Sequence, residues 1–446
     1  MSNKTKKGSG LGFTELWALG IGQVIGAGVI TTIGPAIGMT GKSVWLAYLA
    51  AIVLGLIINL PIIVFSCVTK FSGGDYSVIT SLAGEKTGGM FIISFFLQML
   101  TMSLYGTALG IYINSLIPAL DPKLFGIVGI AIFYGINLLG TKNMAKLQKI
   151  MTVVLVVALL AFVVTGLAKG NAAPALQIGS EDFLAGGTAG FISAMMILVY
   201  SCQGYKLTVN YGGMADEPTK NVPKAMMAVI PVLVVLYCGA ALADVAILPL
   251  SEVAGQPLTV AAKAMFSPAL FYAFIIGAPV MALLTSMNST YGMAVGPYMK
   301  ATKDGWLPDI FGKTNKNGAP VLILTIQLVV GCLPIIMGFS VSTIVNNIMV
   351  ITSVFQFLLF VAVFQAPKKM PQKWAANWLK LSNGALYVIV GIACLAQAFI
   401  LFYSMKSLTL GLAIFNVVAV AVCFVYAILR HRSGKTHVVT ENILDD

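Results

Sequence analysis

The sequence predicts an all-α integral membrane protein of twelve transmembrane helices. Ten form a five-plus-five inverted repeat in which helices 1 and 6 are discontinuous, and two more follow at the C-terminus. Three observations carry this. Hydrophobic residues make up 58% of the 446-residue chain against 9% charged, and the mean hydropathy is +0.93, far outside soluble averages. A bilayer crossing needs about 20 apolar residues, and uncharged runs of that order recur along the whole chain. The first and sixth of these runs are interrupted in the middle.

Taken in order, the first run (16–41) contains Gly20, Gly22, Gly26 and Gly28. Glycine costs about 1 kcal/mol relative to alanine in a helix interior. A helix broken in hydrocarbon also strands peptide groups at several kcal/mol each unless a cavity or ligand serves them. The run therefore reads either as backbone opened to a polar ligand or as close helix–helix packing through small residues. Runs 43–69, 87–120, 124–141 and 150–168 supply spans 2 to 5. Run 183–205 begins span 6, whose stretch from Ile197 to Gly213 places Ser201, Gln203, Gly204, Lys206 and Asn210 in mid-span. Matching interruptions five spans apart are what an inverted repeat with a site at its interface predicts. Runs 225–243 and 264–299 give spans 7 and 8. Run 317–367, broken around Pro334 and Gly338-Phe339-Ser340, gives spans 9 and 10. The smooth runs 381–405 and 407–429 form an added hairpin.

The charges set the topology. With an even number of spans both termini share one side, and 21 of the 27 Lys and Arg residues fall on it, including Lys4, Lys6 and Lys7. Five lie opposite (Lys42, Lys123, Lys169, Lys263, Lys406), and Lys206 is left inside a span. Lys/Arg excess marks the cytoplasmic face. The chain is expected in the cell membrane as a multi-pass protein: residues 1–12 a cytoplasmic tail, 13–367 the ten-helix transport core, 381–430 helices 11 and 12, and 431–446 a second cytoplasmic tail. The net charge of +12 is thus topology, not a sign of nucleic acid.

Other classes are set aside on residue placement. Both histidines, His431 and His437, lie in the tail, which excludes a histidine relay or histidine metal site in the membrane. The six cysteines fall in or at the ends of spans, so no disulfides are expected. The glycines of span 1 follow no strand and have the wrong spacing for a nucleotide loop. The first apolar run is too long, and lacks a small-residue cleavage pattern, for a removable leader. Asn288-Ser289-Thr290 matches a glycosylation sequon but lies inside a span. No enzyme activity and no cofactor are expected.

Six segments, in order, resemble the amino acid–polyamine–organocation (APC) superfamily of permeases. They are Gly-x-Gly-x-x-Ile-Gly-x-Gly at 20–28, Ser-Gly-Gly-x-Tyr at 72–76 and Asn-Leu-Leu-Gly-Thr-Lys at 137–142. Tyr-x-x-x-Gly at 200–204, Asp-Glu-Pro-x-x-Asn-x-Pro at 216–223 and Lys-Asp-Gly-x-Leu-Pro at 303–308 follow. The resemblance spans about residues 13–320 and implies the leucine-transporter-like fold with alternating access around a central site. The implied site is compatible with the physics of broken helices. Backbone N–H groups at Ile25, Gly26, Ala27 and Gly28 open a half-helix N-terminus suited to a carboxylate. Carbonyls at Tyr200, Ser201, Cys202, Gln203 and Gly204 close the opposing half-helix and suit an ammonium group. Together they fit a zwitterionic α-amino acid. Tyr200 stands where members of the superfamily carry an aromatic gate, or else packs ordinarily. Gln203, with Gln98, Thr101 and Tyr105 of span 3, is a candidate for the substrate side-chain pocket. Spans 3, 6, 8 and 10 offer no unpaired mid-span acid, so a neutral substrate fits best.

Three departures bear on coupling. Where many members carry a lysine in span 5, alignment on Gly140-Thr141-Lys142 and Gln148 puts Leu155. Span 8 offers Ser286-x-x-Ser289-Thr290, which resembles the second sodium site of the wider fold. Carbonyls of Gly22 and Ile25 would complete it, an oxygen-only set suited to a hard cation. The alternative is that these hydroxyls serve their own helix. Lys206, in the membrane, is a coupling candidate or snorkels to the surface. Asp244 is expected to lie too far from it to be its partner, and Glu15 reads as a helix cap or inner-gate residue.

The reading is a secondary transporter of a neutral α-amino acid, with sodium as a candidate coupling ion. Its rivals are a proton symporter or exchanger and, from another class, a channel or a non-transporting membrane subunit. The expected partners are a small amino acid and the lipid bilayer.

Overall fold

The computed structural model describes residues 10–438 other than Pro118, Leu120, Glu181, Ser340 and Ser407. Lys4, Lys6 and Lys7, residues 439–446 of the expected second tail, and Ser340 of the expected break lie outside the described residues, as does the side chain of Ala27. Among the described residues the chain is helical, with one isolated backbone bridge between Leu11 and Ala215.

Eight helical stretches are long and apolar enough to cross a membrane: Gly28–Phe65, Glu85–Asn114, Thr141–Lys169, Pro218–Ile247, Pro268–Lys303, Asn347–Phe364, Asn383–Lys406 and Leu410–Arg432. Pro122–Leu138 and Val321–Ile336 are apolar but shorter. The twelve expected crossings also counted the first and sixth runs as single spans, and these are the ones that break.

The first break separates α1 (Phe13–Val24) from α2 (Ala27–Thr40) at Ile25 and Gly26. A turn at Gly41–Ser43 then leads into α3 (Val44–Phe65), and α4 (Gly74–Ala83) follows. Next come α5 (Glu85–Ser94) and α6 (Thr101–Leu116), joined by a 3₁₀ turn, then α7 (Pro122–Leu138) and α8 (Thr141–Lys169). The second break ends α9 (Gly187–Val199) and continues as two 3₁₀ segments, Tyr200–Cys202 and Gly204–Met214. Eleven residues of 3₁₀ helix is long for a geometry that seldom exceeds 3–4 residues, and such stretches mark strain or a hinge. α10 (Pro218–Leu233) joins α11 (Gly239–Ile247) through a π turn at Val234–Cys238, and α12 (Pro268–Ile275) joins α13 (Met281–Lys303) through another at Ile276–Val280. α14 (Val321–Ile336) and α15 (Val341–Phe364) are parted beside Gly338, at φ +74°. α16 (Asn383–Lys406) and α17 (Leu410–Arg432) complete the chain.

The two broken segments lie side by side. α1 packs on the 204–214 segment, α2 on α9, and α8 and α13 back α1. Within the glycine run of span 1 the break and the close packing fall at different residues. Gly26 sits in the break, whereas a Cβ on Gly22 would fall 1.8 Å from the amide nitrogen of Gln148 in α8. Around this centre, α16 packs on α3 and α15, and α17 leans on α5. The most apolar window of α17 is only 11% buried, with Leu410, Val417, Val422 and Leu429 facing outward, so it lies at the rim. At one end of the bundle Lys42 pairs with Asp182 at 2.9 Å.

α6 and α7 approach so closely that a Cβ on Gly110 would meet the carbonyl of Pro122 at 1.9 Å, while Gly384 has nothing within 4 Å. Overpacking costs about 1–3 kcal/mol. Gly110→Ala should therefore lower the melting temperature of the purified protein in detergent, and Gly384→Ala should leave it unchanged.

Candidate functional site

The two breaks meet backbone to backbone: a Cβ on Gly204 would lie 2.4 Å from the carbonyl of Gln23. One side chain serves both. Tyr237, fully buried on the π turn, brings its hydroxyl 3.0 Å from the Val24 carbonyl and 3.2 Å from the Ser201 carbonyl. Asn59 of α3 donates to the Gln203 carbonyl at 3.3 Å. At α2 no side chain caps Gly26, so the first N–H groups of that helix, which have no intrahelical acceptor, are open to a ligand.

A cavity lies at this junction. Its wall includes Gly26, Gly28, Tyr200, Ser201, Gln203 and Gly204 from the breaks, and Gln98, Thr101 and Tyr105 from the α5–α6 stretch. Lys206 also lines it. Ile25 and Cys202 do not: both are fully buried, and the Cys202 thiol turns back to the Leu198 carbonyl at 3.4 Å. The expected part of these two residues is backbone only, and the Ile25 N–H is given to the Ile21 carbonyl at 2.8 Å. The sequence reading missed Gln23, Met293, Thr352, Ser353, Gln356 and Gln397, which complete the wall. Single polar residues in apolar helices gave no signal of direction, and α15 and α16 were not singled out.

The candidate sodium oxygens are engaged with protein groups. Ser286 donates to the Gly22 carbonyl at 2.8 Å, Ser289 to its own helix at Thr285 (2.9 Å), and Thr290 meets the Gln23 amide at 3.2 Å. The helix-serving alternative thus describes Ser289, whereas Ser286 and Thr290 bridge α13 to α1. At Leu155, fully buried, there is no cation. Instead α8 presents neutral donors to α1: Thr152 and Gln148 reach the Ala18 carbonyl at 3.1 and 3.4 Å, and Asn288 donates to Gln148 at 2.8 Å.

Lys206 donates to the amide oxygen of Gln356, whose nitrogen is anchored on the Ile58 carbonyl at 3.2 Å. The buried opposite charge acting on it is Asp75, on α4. Burial pushes the Asp75 carboxyl up to about 6, with the Lys206 charge pulling the other way, and its Oδ1 has no hydrogen-bond partner. Asp244 is 1% exposed with both oxygens unpartnered. Glu15 caps nothing. Gly12 precedes the helix without a side-chain cap, and Glu15 ties α1 to α8 through Lys149 at 3.0 Å.

Below the cavity the lysine-rich end is closed. Leu11 exchanges backbone bonds with Met214 (2.7 Å) and Asp216 (2.9 Å), pinning the start of α1 to the end of the 204–214 segment. The Asp75 N–H binds Asn210 at 2.9 Å, and Tyr76 donates to Asp304 at 2.7 Å. Lys300 also holds Asp304, at 2.8 Å.

Comparison with known proteins adds the family. A family model described as amino acid permease matches residues 11–429. A probable threonine/serine transporter of Bacillus subtilis is 24% identical, covering 78% of this chain and 76% of that protein. A lysine-specific permease of Lactococcus lactis is 26% identical over 69% and 65%, and a gamma-aminobutyric acid permease of Escherichia coli is 24% identical over 79% and 76%.

Two outcomes are expected from this geometry. Tyr237→Phe removes the one proton shared by two buried carbonyls, of which Val24 keeps the Gly26 N–H at 3.1 Å and Ser201 loses its side-chain donor. At about 1–3 kcal/mol, this should lower the melting temperature and weaken ligand binding together. Asp75 carries a folded-state value above the ordinary carboxylate range, so the folded chain binds the extra proton between about pH 4 and 6. Its contribution to stability should fall as pH rises through that window. Asp75→Asn should flatten the melting temperature there; an unchanged slope would refute the assignment. Lys206 is the charge that acts on Asp75, so the comparison is made at constant salt.

Proposed function

The chain belongs to the amino acid permease family, and on that footing we propose that it is a secondary active transporter moving a neutral α-amino acid across the cell membrane by alternating access. Twelve crossings, with the two broken segments as spans 1 and 6 of an inverted repeat and both termini cytoplasmic, complete the reading. One observation carries it: the uncapped start of α2 and the residues that follow α9 line the same cavity. A carboxylate is matched to the first by the helix dipole and free N–H groups, and an ammonium to the second by carbonyls. Peptide groups at a break in the membrane need polar partners; the zwitterion supplies one to the N–H groups at the start of α2, while its ammonium shares the carbonyls with Tyr237 and Asn59.

The relatives are named for threonine/serine, lysine and gamma-aminobutyric acid, so their names alone do not select a substrate. The cavity does. Its lining holds Lys206 and no Asp or Glu, which disfavours a cationic side chain. For coupling, the contact of Ser286 with the Gly22 carbonyl supports sodium, with Gly22, Ile25, Ser286, Ser289 and Thr290 as the oxygen donors. The partly uncompensated Asp75 beside Lys206 supports a second reading, coupling through a proton. Transport is not an enzymatic activity, and no residue here is assigned a covalent role.

Thermal-shift binding of the purified protein against the twenty amino acids, in sodium and in choline, tests this. Ligand at 100 times its dissociation constant stabilises by about 2.7 kcal/mol. Stabilisation by a neutral amino acid only in sodium, lost in Ser289→Ala, supports the oxygen site. Stabilisation indifferent to sodium but altered in Asp75→Asn supports the proton reading. If no amino acid stabilises the protein in either salt, the transport assignment fails.

A further inference from the structure

We propose that Lys206 selects, among neutral amino acids, those whose side chain ends in a hydrogen-bond acceptor, a carboxamide or a hydroxyl. This rests on the transport reading above and concerns the far wall of the same cavity. Lys206 lies beyond Gln203 on the second broken helix and faces α15. An ammonium has three donors and no acceptor. One is taken by Gln356, which the Ile58 carbonyl holds in place. Among the described residues no other hydrogen bond reaches the ammonium, and the neighbouring hydroxyls are held by other partners. Thr352 and Ser353 donate to their own helix at 2.9 and 2.8 Å, and Ser353 also receives Gln397 at 2.8 Å. Asp75 balances the charge, but no salt bridge within 4 Å joins it to Lys206. The remaining ammonium hydrogens are thus left to whatever occupies the cavity.

A substrate ending in a methyl group displaces water from these donors and gives nothing back, which is the costly case for a buried polar group. A carboxamide or hydroxyl oxygen restores an acceptor. A cationic side chain meets like charge. A carboxylate adds a second negative charge beside Asp75.

The test is binding competition on the full chain in proteoliposomes, with glutamine against norleucine and serine against 2-aminobutyrate. Each pair has similar reach, with and without the acceptor. The better acceptor-bearing ligand should bind about tenfold or more tighter than its counterpart, the range expected of a hydrogen bond to a charged group. Lys206→Met should bring that ratio near one, and Lys206→Arg, which keeps the donors, should retain it. Equal or tighter binding of the apolar member in the unaltered protein overturns the inference, and so does an undiminished preference in Lys206→Met. Tighter binding of glutamate than of glutamine overturns its neutral-substrate clause. Because the unaltered protein decides the first comparison, the inference stands or falls even if a variant fails to fold. Binding of no amino acid at all overturns the transport reading itself, and is distinguishable from binding without discrimination.

Discussion

A helix interrupted inside hydrocarbon strands its own peptide groups, and the surrounding elements are arranged to meet that cost. Tyr237 reaches the carbonyls on both sides of the junction, Asn59 reaches a third, and Ser286 a fourth. These donors come from α3, the π turn after α10, and α13, three elements far apart in sequence. A π turn widens the helix and re-aims its side chains, which is how a tyrosine in an otherwise apolar run can point at two other helices' broken ends. The carbonyls are thus served by the protein, while the start of α2 is left uncapped. That asymmetry leaves more open valence toward an anion than toward a cation.

The neutral network behind α1 is the second constraint. Gln148 approaches so near to Gly22 that no larger residue fits there, and Asn288 fixes the Gln148 amide from α13. Thr152 reinforces the contact one turn further along α8. Neutral hydrogen bonds of this kind each contribute about 0.5–1.5 kcal/mol net. They can be exchanged between partners at little cost, whereas a buried ion pair that loses its partner incurs several kcal/mol. The polar junction of α1, α8 and α13 is therefore built from contacts that can be remade.

The fold class was legible because apolar runs cannot be hidden: charge spacing alone located nearly every helix. The breaks were legible too, since Gly26 and the polar stretch after Tyr200 contradict helix propensity on their face. Gln98, Thr101, Tyr105 and Gln203 could be placed beside the breaks because a helix fixes which residues share a face. Ile25 and Cys202 entered only through their backbone, and their side chains are fully buried. Gln356 and Tyr237 are single polar residues in apolar surroundings, and only tertiary contact reveals their partners. Asp75 hid inside Ser-Gly-Gly-Asp-Tyr, where an acid reads as ordinary turn chemistry. Its burial comes from α4 folding back against the 204–214 segment and α15, a packing no local pattern encodes.

The loop after α13 carries one more consequence, for biogenesis. Arg430 donates to the Gly305 carbonyl at 3.0 Å and the His437 N–H to the Asp304 carbonyl at 2.9 Å, while His431 stacks over the buried Trp306. The same Asp304 side chain receives Tyr76, the neighbour of Asp75. Residues from the first fifth of the chain are thus held by a loop that is itself held by its final stretch. Such long-range closure is the slowest kind of contact to form. This end of the bundle cannot take its finished shape until residues 430–437 have been added, so translation past the final described helix sets when the closed end is complete.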